Sequence, residues 1–131
     1  MLKFQIDIKL RTANEIKRMH NSPSGKGWAL YAAYKKKLSV LLLNNLVEGS
    51  NNLAFNSGKP RVRKTVTLLY VSVKLQDIDN FYASLKPLLD AMVDLDLLKD
   101  DDEKGLKLVA SQAKHSESVY DKYTLIIEVG E

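Results

Sequence analysis

A chain of 131 residues with a formal net charge of +4 predicts a single domain, 1–131, long enough to bury a core without covalent staples. It has no cysteine and only two histidines, His20 and His115, which excludes disulfides, thiolate zinc sites and imidazole-rich metal motifs. No apolar stretch approaches the roughly 18 residues of a membrane span, and "MLKFQIDIKLRT" alternates where a secretory leader would run continuously apolar. A soluble, cytoplasmic protein with no membrane partner is expected.

"LKFQIDIKL" alternates Leu2, Phe4, Ile6, Ile8 and Leu10 against polar neighbours, the period-two pattern of a half-buried strand. Thr12 to Gly27 is polar and broken by Asn14, Asn21, Pro23, Gly25 and Gly27, which predicts a mostly irregular loop carrying Lys17, Arg18, His20 and Lys26. "WALYAAYKKKLSVLLLNNLVEG" supplies helix formers for about five turns, with Gly49 as the stop. "EGSNNLAFNSGKPR" reads as a surface loop and "VRKTVTLLYVSVKL" as a second strand. A second helix follows within "LQDIDNFYASLKPLLDAM", then an acidic turn, "LDLLKDDDEKG", then two more strands, "LKLVASQAKH" and "YTLIIEVG". The predicted order β-α-β-α-β-β defines a small mixed α/β (α+β) domain, a mixed sheet flanked by helices.

Charge is unevenly spread. Residues 1–75 hold 14 Lys/Arg and 3 Asp/Glu, a net +11, and residues 76–131 hold 6 and 13, a net −7. A basic part beside an acidic one suits a polyanion held by cations while carboxylates carry a divalent ion to its phosphates. A solvated mixed-charge surface gives the same statistics.

Asp77 and Asp79 are separated by one residue at the end of an apolar run. In extended chain, residues i and i+2 point to one side, so the two carboxylates can converge just past the strand. Their repulsion must be relieved by a cation, a basic side chain or a raised pKa. Oxygen-only ligands favour Mg²⁺, Mn²⁺ or Ca²⁺, and Mg²⁺ accepts one or two carboxylates while keeping other positions for water and phosphate. The competing structural role is helix capping by Asp79 or Asn80. "KDDDEKG" brings a second carboxylate block after a helix long enough to return it; alone, it is equally a solvated turn. An EF-hand loop starting at Asp100 fails, with Lys104 at the fifth position and Ser111 in place of the bidentate glutamate. "NSPSGKGW" fails as a phosphate loop, lacking the first glycine and the Ser or Thr after the lysine.

With "DIDN", "KPLLDAM" and "LLKDDDEKGL" in order, residues 74 to about 106 resemble the RusA-type Holliday junction resolvases of bacteria and their phages. Upstream of them the similarity is architectural only. The resemblance implies a Mg²⁺-dependent endodeoxyribonuclease, with Mn²⁺ as a substitute and no small-molecule cofactor. It works as a homodimer on four-way DNA junctions and nicks two strands symmetrically. It also implies Asp77, Asp79 and Asp101 as metal-binding and catalytic acids, with Asp100 the alternative for the third, Lys86 near the scissile phosphate, and Asn80 and Asp90 in support. One departure stands out: Lys86 follows Asp79 by seven residues rather than four. Both spacings return to one helical face, so the lysine moves about 4.5 Å along the axis without turning away. Pro87 introduces a second possibility, a helix starting later with Ser84 as its cap, in which Lys86 loses that aim.

Lys35, Lys36, Lys37, Arg61, Arg63 and Lys64 are candidate contacts to the DNA backbone. The three consecutive lysines cannot all share a helix face, and each of the six is equally an ordinary solubilising charge. Trp28, Tyr31 and Tyr34, at helical spacing, fit core or dimer contact better than a base-stacking platform. Two alternatives stay open: a non-catalytic DNA-binding or phage structural protein with a stabilising ion, and a nuclease for flaps, forks or other branched DNA.

Overall fold

A computed structural model of the chain describes residues 1–22, 25–50, 60, 62–102 and 104–131. In chain order these form β1 (Leu2–Asp7), α1 (Ala13–His20), α2 (Gly27–Asn44), β2 (Leu46–Glu48), β3 (Lys64–Ser72), α3 (Ile78–Asp94), β4 (Leu106–Lys114), a 3₁₀ turn (His115–Glu117) and β5 (Thr124–Gly130). The strands make one mixed sheet in the order β2-β1-β5-β3-β4. β3 and β4 pair in parallel across the α3 connection, and the other pairs are antiparallel. The mixed α+β class expected from the alternation of strands and helices is the one observed.

Register explains where the core lies. Phe4 opposes Ile127 and Ile6 opposes Leu125, while Leu68 opposes Ile127 and Tyr70 opposes Leu125, so period-two alternation brings one apolar face together across three strands. All six of these residues are buried, and they join Tyr34, Leu38 and Leu42 of α2 with Phe81, Leu85, Leu88 and Met92 of α3 in a single cluster. The i, i+4, i+8 spacing on α2 and the i, i+4, i+7, i+11 spacing on α3 give each helix its buried stripe.

Two expectations are corrected. The segment from Thr12 to Gly27 is not mostly irregular: Ala13–His20 is helical, opened by a capping box in which Glu15 N–H donates to Thr12 Oγ1 and Thr12 N–H donates to the Glu15 carboxylate, both at 3.2 Å. Those two bonds satisfy donors that a short helix with one fully buried residue, Ile16, would otherwise leave to water. Gly27 then permits close contact between the two helices, since a Cβ there would overlap the carbonyl oxygens of Met19 and His20. The second correction is at Gly49, which does not stop α2. The helix ends at Asn44, Asn45 Nδ2 donates to the Leu41 carbonyl at 2.7 Å, and Leu46–Glu48 is drawn into pairing with β1.

Pro87 neither ends α3 nor delays its start. The helix runs unbroken from Ile78, and Ser84, placed as a later cap in the alternative expectation, instead donates its hydroxyl to the Phe81 carbonyl at 2.6 Å inside the helix. The carbonyl that Pro87 cannot bond belongs to Ala83, which is exposed and open to water. Among the described residues, no helix is long and apolar enough to cross a membrane.

Candidate functional site

The acids at the head of α3 stand at the end of a fixed loop. β3 closes at Ser72, whose hydroxyl donates to the Lys74 carbonyl at 2.9 Å. Gln112 of β4 then clamps Gln76 twice, accepting from its N–H at 2.9 Å and donating to its carbonyl at 3.0 Å. Asp77 follows as the N-cap residue of α3; its carbonyl accepts from Phe81 N–H at 2.8 Å, but its side chain makes no capping bond. Asp79 lies in the first turn, and Asp77, Asp79 and Asn80 are all exposed. None of the three carries the capping hydrogen bond that would account for it structurally. The positive end of the helix dipole favours the two carboxylates here.

A second cluster forms farther along the same helix. Lys86 Nζ pairs with Asp90 Oδ1 at 3.0 Å and with Asp101 Oδ2, and Tyr31 of α2 donates its hydroxyl to the other oxygen of Asp90. Burial and the Asp90 carboxylate together push the Tyr31 phenol above its usual range. Lys35 pairs with Asp94 at 2.9 Å in the next turn, so α2 and α3 are joined by two polar contacts as well as by their apolar stripes. The turn carrying Asp101 is built by its neighbours: Asp100 Oδ1 accepts from Asp101 N–H at 2.8 Å, and Asp102 Oδ1 accepts from Lys104 and Gly105 N–H at 2.9 and 3.2 Å. Gly105 is buried against the Asp100 backbone, where a Cβ would overlap it. Asp100 and Asp102 thus shape the turn, and Asp101 reaches α3.

The expected residues therefore fall into two groups. Asp79 and Lys86 share a face of α3, as seven-residue spacing requires, but lie about 10 Å apart along the axis. The structure brings Lys86, Asp90 and Asp101 together and keeps Asp77, Asp79 and Asn80 at the helix start. Among the described residues, no three acids or histidines are grouped so as to hold a metal ion. The donor chemistry of Asp77 and Asp79 nevertheless suits a hard cation, because Mg²⁺ takes as few as one or two protein carboxylates and completes its shell with water and phosphate.

The expected DNA-contact cations are also distributed. Lys36, Lys37 and Arg63 are exposed, Lys35 is committed to Asp94, and Lys64 pairs with Glu131 at 3.4 Å; Arg61 lies outside the described residues. The aromatic stripe is split. Tyr34 is core and its hydroxyl accepts from Arg11 N–H at 3.0 Å, Tyr31 is half-buried, and Trp28 is 76% exposed, so Trp28 is no part of the core.

Sequence reasoning missed a cleft of about 460 Å³ beside Asp77. β1 and β3 run the same way, each antiparallel to the β5 between them, so Lys9, two residues past β1, and Lys74, two past β3, arrive at one end of the sheet. Both line the cleft together with Asp77, Asn80 and Tyr123. In the sequence both lysines fall inside the segments read as strands, 2–10 and 62–75; only the observed strand ends and the pairing of β1 and β3 with β5 put them together. No protein-family profile, curated protein or solved structure matches this chain.

Proposed function

We propose that the chain is a Mg²⁺-dependent endodeoxyribonuclease acting as a homodimer on branched DNA, with the four-way junction as substrate and paired symmetric nicks as product. The observation that carries it is the exposed Asp77–Asp79 pair, held on a clamped loop at the edge of a lysine-lined cleft with no capping bond to explain it. In this reading Asp77 and Asp79 hold the ion. A bound Mg²⁺ supplies charge that polarises a phosphate oxygen and lowers the pKa of a coordinated water. Asp101, with Asp100 as its alternative, does not join that pair: it is engaged by Lys86 farther along α3, so water and substrate phosphate complete the shell of the ion. Lys86 supplies positive charge on the α3 face that a docked strand follows, and Lys36, Lys37 and Arg63 hold the phosphates of the arms.

Two symmetric cuts require two copies of one site about a two-fold axis. The outward side of α2 supports such a pairing: Trp28, Val40 and Leu43 are 76%, 46% and 43% exposed.

A second reading, a non-catalytic DNA-binding protein, is favoured by one observation: Asp101 is already neutralised by Lys86. Incubation with a mobile synthetic four-way junction and with linear duplex, in Mg²⁺ or EDTA, separates the two. Paired nicks confined to the junction, absent in EDTA and in Asp77→Asn, support the nuclease. Binding without cleavage under every condition supports the second reading, and equal cutting of linear duplex removes junction specificity.

A further inference from the structure

We infer that the cleft beside Asp77 seats one unpaired nucleotide of a single DNA strand, and that the strand leaves it over α1. The inference deepens the nuclease reading and rests on it for the identity of the polymer. At about 460 Å³ the cleft falls within the range of small-ligand sites, about 300–1,000 Å³. Its charge points to an anion: Lys9 and Lys74 line it, and neither makes an ion pair among the described residues. Its lining suits a flat base, since the partly exposed Tyr123 ring borders it beside buried Leu10 and Tyr70, with Lys9 Nζ 5.3 Å from the Tyr123 centroid.

Two features fix this lining. Tyr70 accepts a hydrogen bond from Leu10 N–H at 3.0 Å, which ties these two lining residues together. Tyr123 adopts φ 56°, a left-handed conformation that bulky residues rarely take, while its carbonyl accepts from Ile8 N–H at 2.8 Å. Held strain of this kind is characteristic of ligand clamps.

A polymer rather than a mononucleotide is indicated by continuity. Asn14 lines the cleft and also a second hollow whose other walls are Lys17, Arg18 and Asn21. A phosphate chain leaving Lys9 and Lys74 thus meets a second cationic step on α1, formed by Lys17 and Arg18. A duplex cannot place one nucleotide in such a cleft without unpairing it, so the site selects strands already open at a branch point.

The test is fluorescence anisotropy with a labelled five-nucleotide oligothymidylate in EDTA, which makes binding independent of cleavage. Lys74→Ala and Lys9→Ala are each expected to weaken binding roughly tenfold and Lys17→Ala less, consistent with loss of a phosphate or stacking contact; exposed Lys107→Ala on β4 is the control and leaves it unchanged. A blunt hairpin duplex with a stem long enough to stay paired should compete poorly. Equal competition by the duplex, or equal loss in Lys107→Ala, overturns the inference. If the oligonucleotide binds as described while no junction is cut in Mg²⁺, the nuclease reading fails and the strand site stands. If junctions are cut equally well by the Lys9→Ala/Lys74→Ala protein, the nuclease stands and the strand site fails.

Discussion

Lys86 and Asp101, 15 residues apart in sequence, meet side chain to side chain and tie the turn before β4 to the middle of α3. The lysine is 57% exposed, whereas Asp101 and Asp90 are 22% and 24% exposed, so the charge being shared lies at the boundary of the fold rather than in open solvent. Loss of Lys86 leaves two partly buried carboxylates facing each other.

Lys86→Ala is expected to cost about 1 kcal/mol, the upper end for a solvent-accessible pair, lowering Tm by roughly 4 °C for a domain of this size. The difference should shrink in 1 M NaCl, where the screening length falls to about 3 Å. A calorimetric comparison at low and high salt checks it; an equal loss at both would assign the effect to packing of the lysine stem.

Gly105→Ala should be the more damaging change, although it removes no interaction. The added methyl overlaps the backbone of Asp100, and relief requires the turn that aims Asp101 to shift, at about 2 kcal/mol. Urea unfolding should show a lower midpoint with an unchanged slope. An unaltered midpoint would mean that the turn can yield freely.

Alkaline pH tests the buried tyrosines. Burial pushes Tyr70 up to about 12, opposed in part by the hydrogen bond from Leu10 N–H, and it also raises Tyr34. In the unfolded chain these phenols ionise near their ordinary value of about 10. Below that pH both states are protonated and the contribution is fully present. As pH climbs from about 10 through about 12 the unfolded state binds fewer protons than the folded one, so stability falls. Denaturant unfolding monitored across that window checks it. A flat stability profile would contradict the burial of Tyr70.

Much of the fold was legible because its strands alternate: Phe4 and Ile6, Leu68 and Tyr70, and Leu125 and Ile127 announce their faces without tertiary information. α1 was missed because polar composition outweighed the Thr12–Glu15 capping pattern, a four-residue signal that alone distinguishes a short exposed helix from a loop. β2 was missed because its three residues form a strand only through pairing with β1. At the site, the shared face of Asp79 and Lys86 followed from helical spacing, whereas the engagement of Asp101 by Lys86 depends on how the 100–105 turn folds around Gly105. Lys9 and Lys74 carried no local signal at all, being neighbours only because β1 and β3 flank β5 in one direction.

The most direct measurement of the central claim is cleavage of a four-way junction by Asp77→Asn beside the unaltered protein in Mg²⁺, with Tm recorded for both. Asp77 is exposed and makes no side-chain capping bond, so the substitution should change stability by less than about 0.5 kcal/mol while abolishing paired nicking. Undiminished nicking by the variant, or no nicking by either protein, would contradict the assignment of Asp77 to a nuclease site.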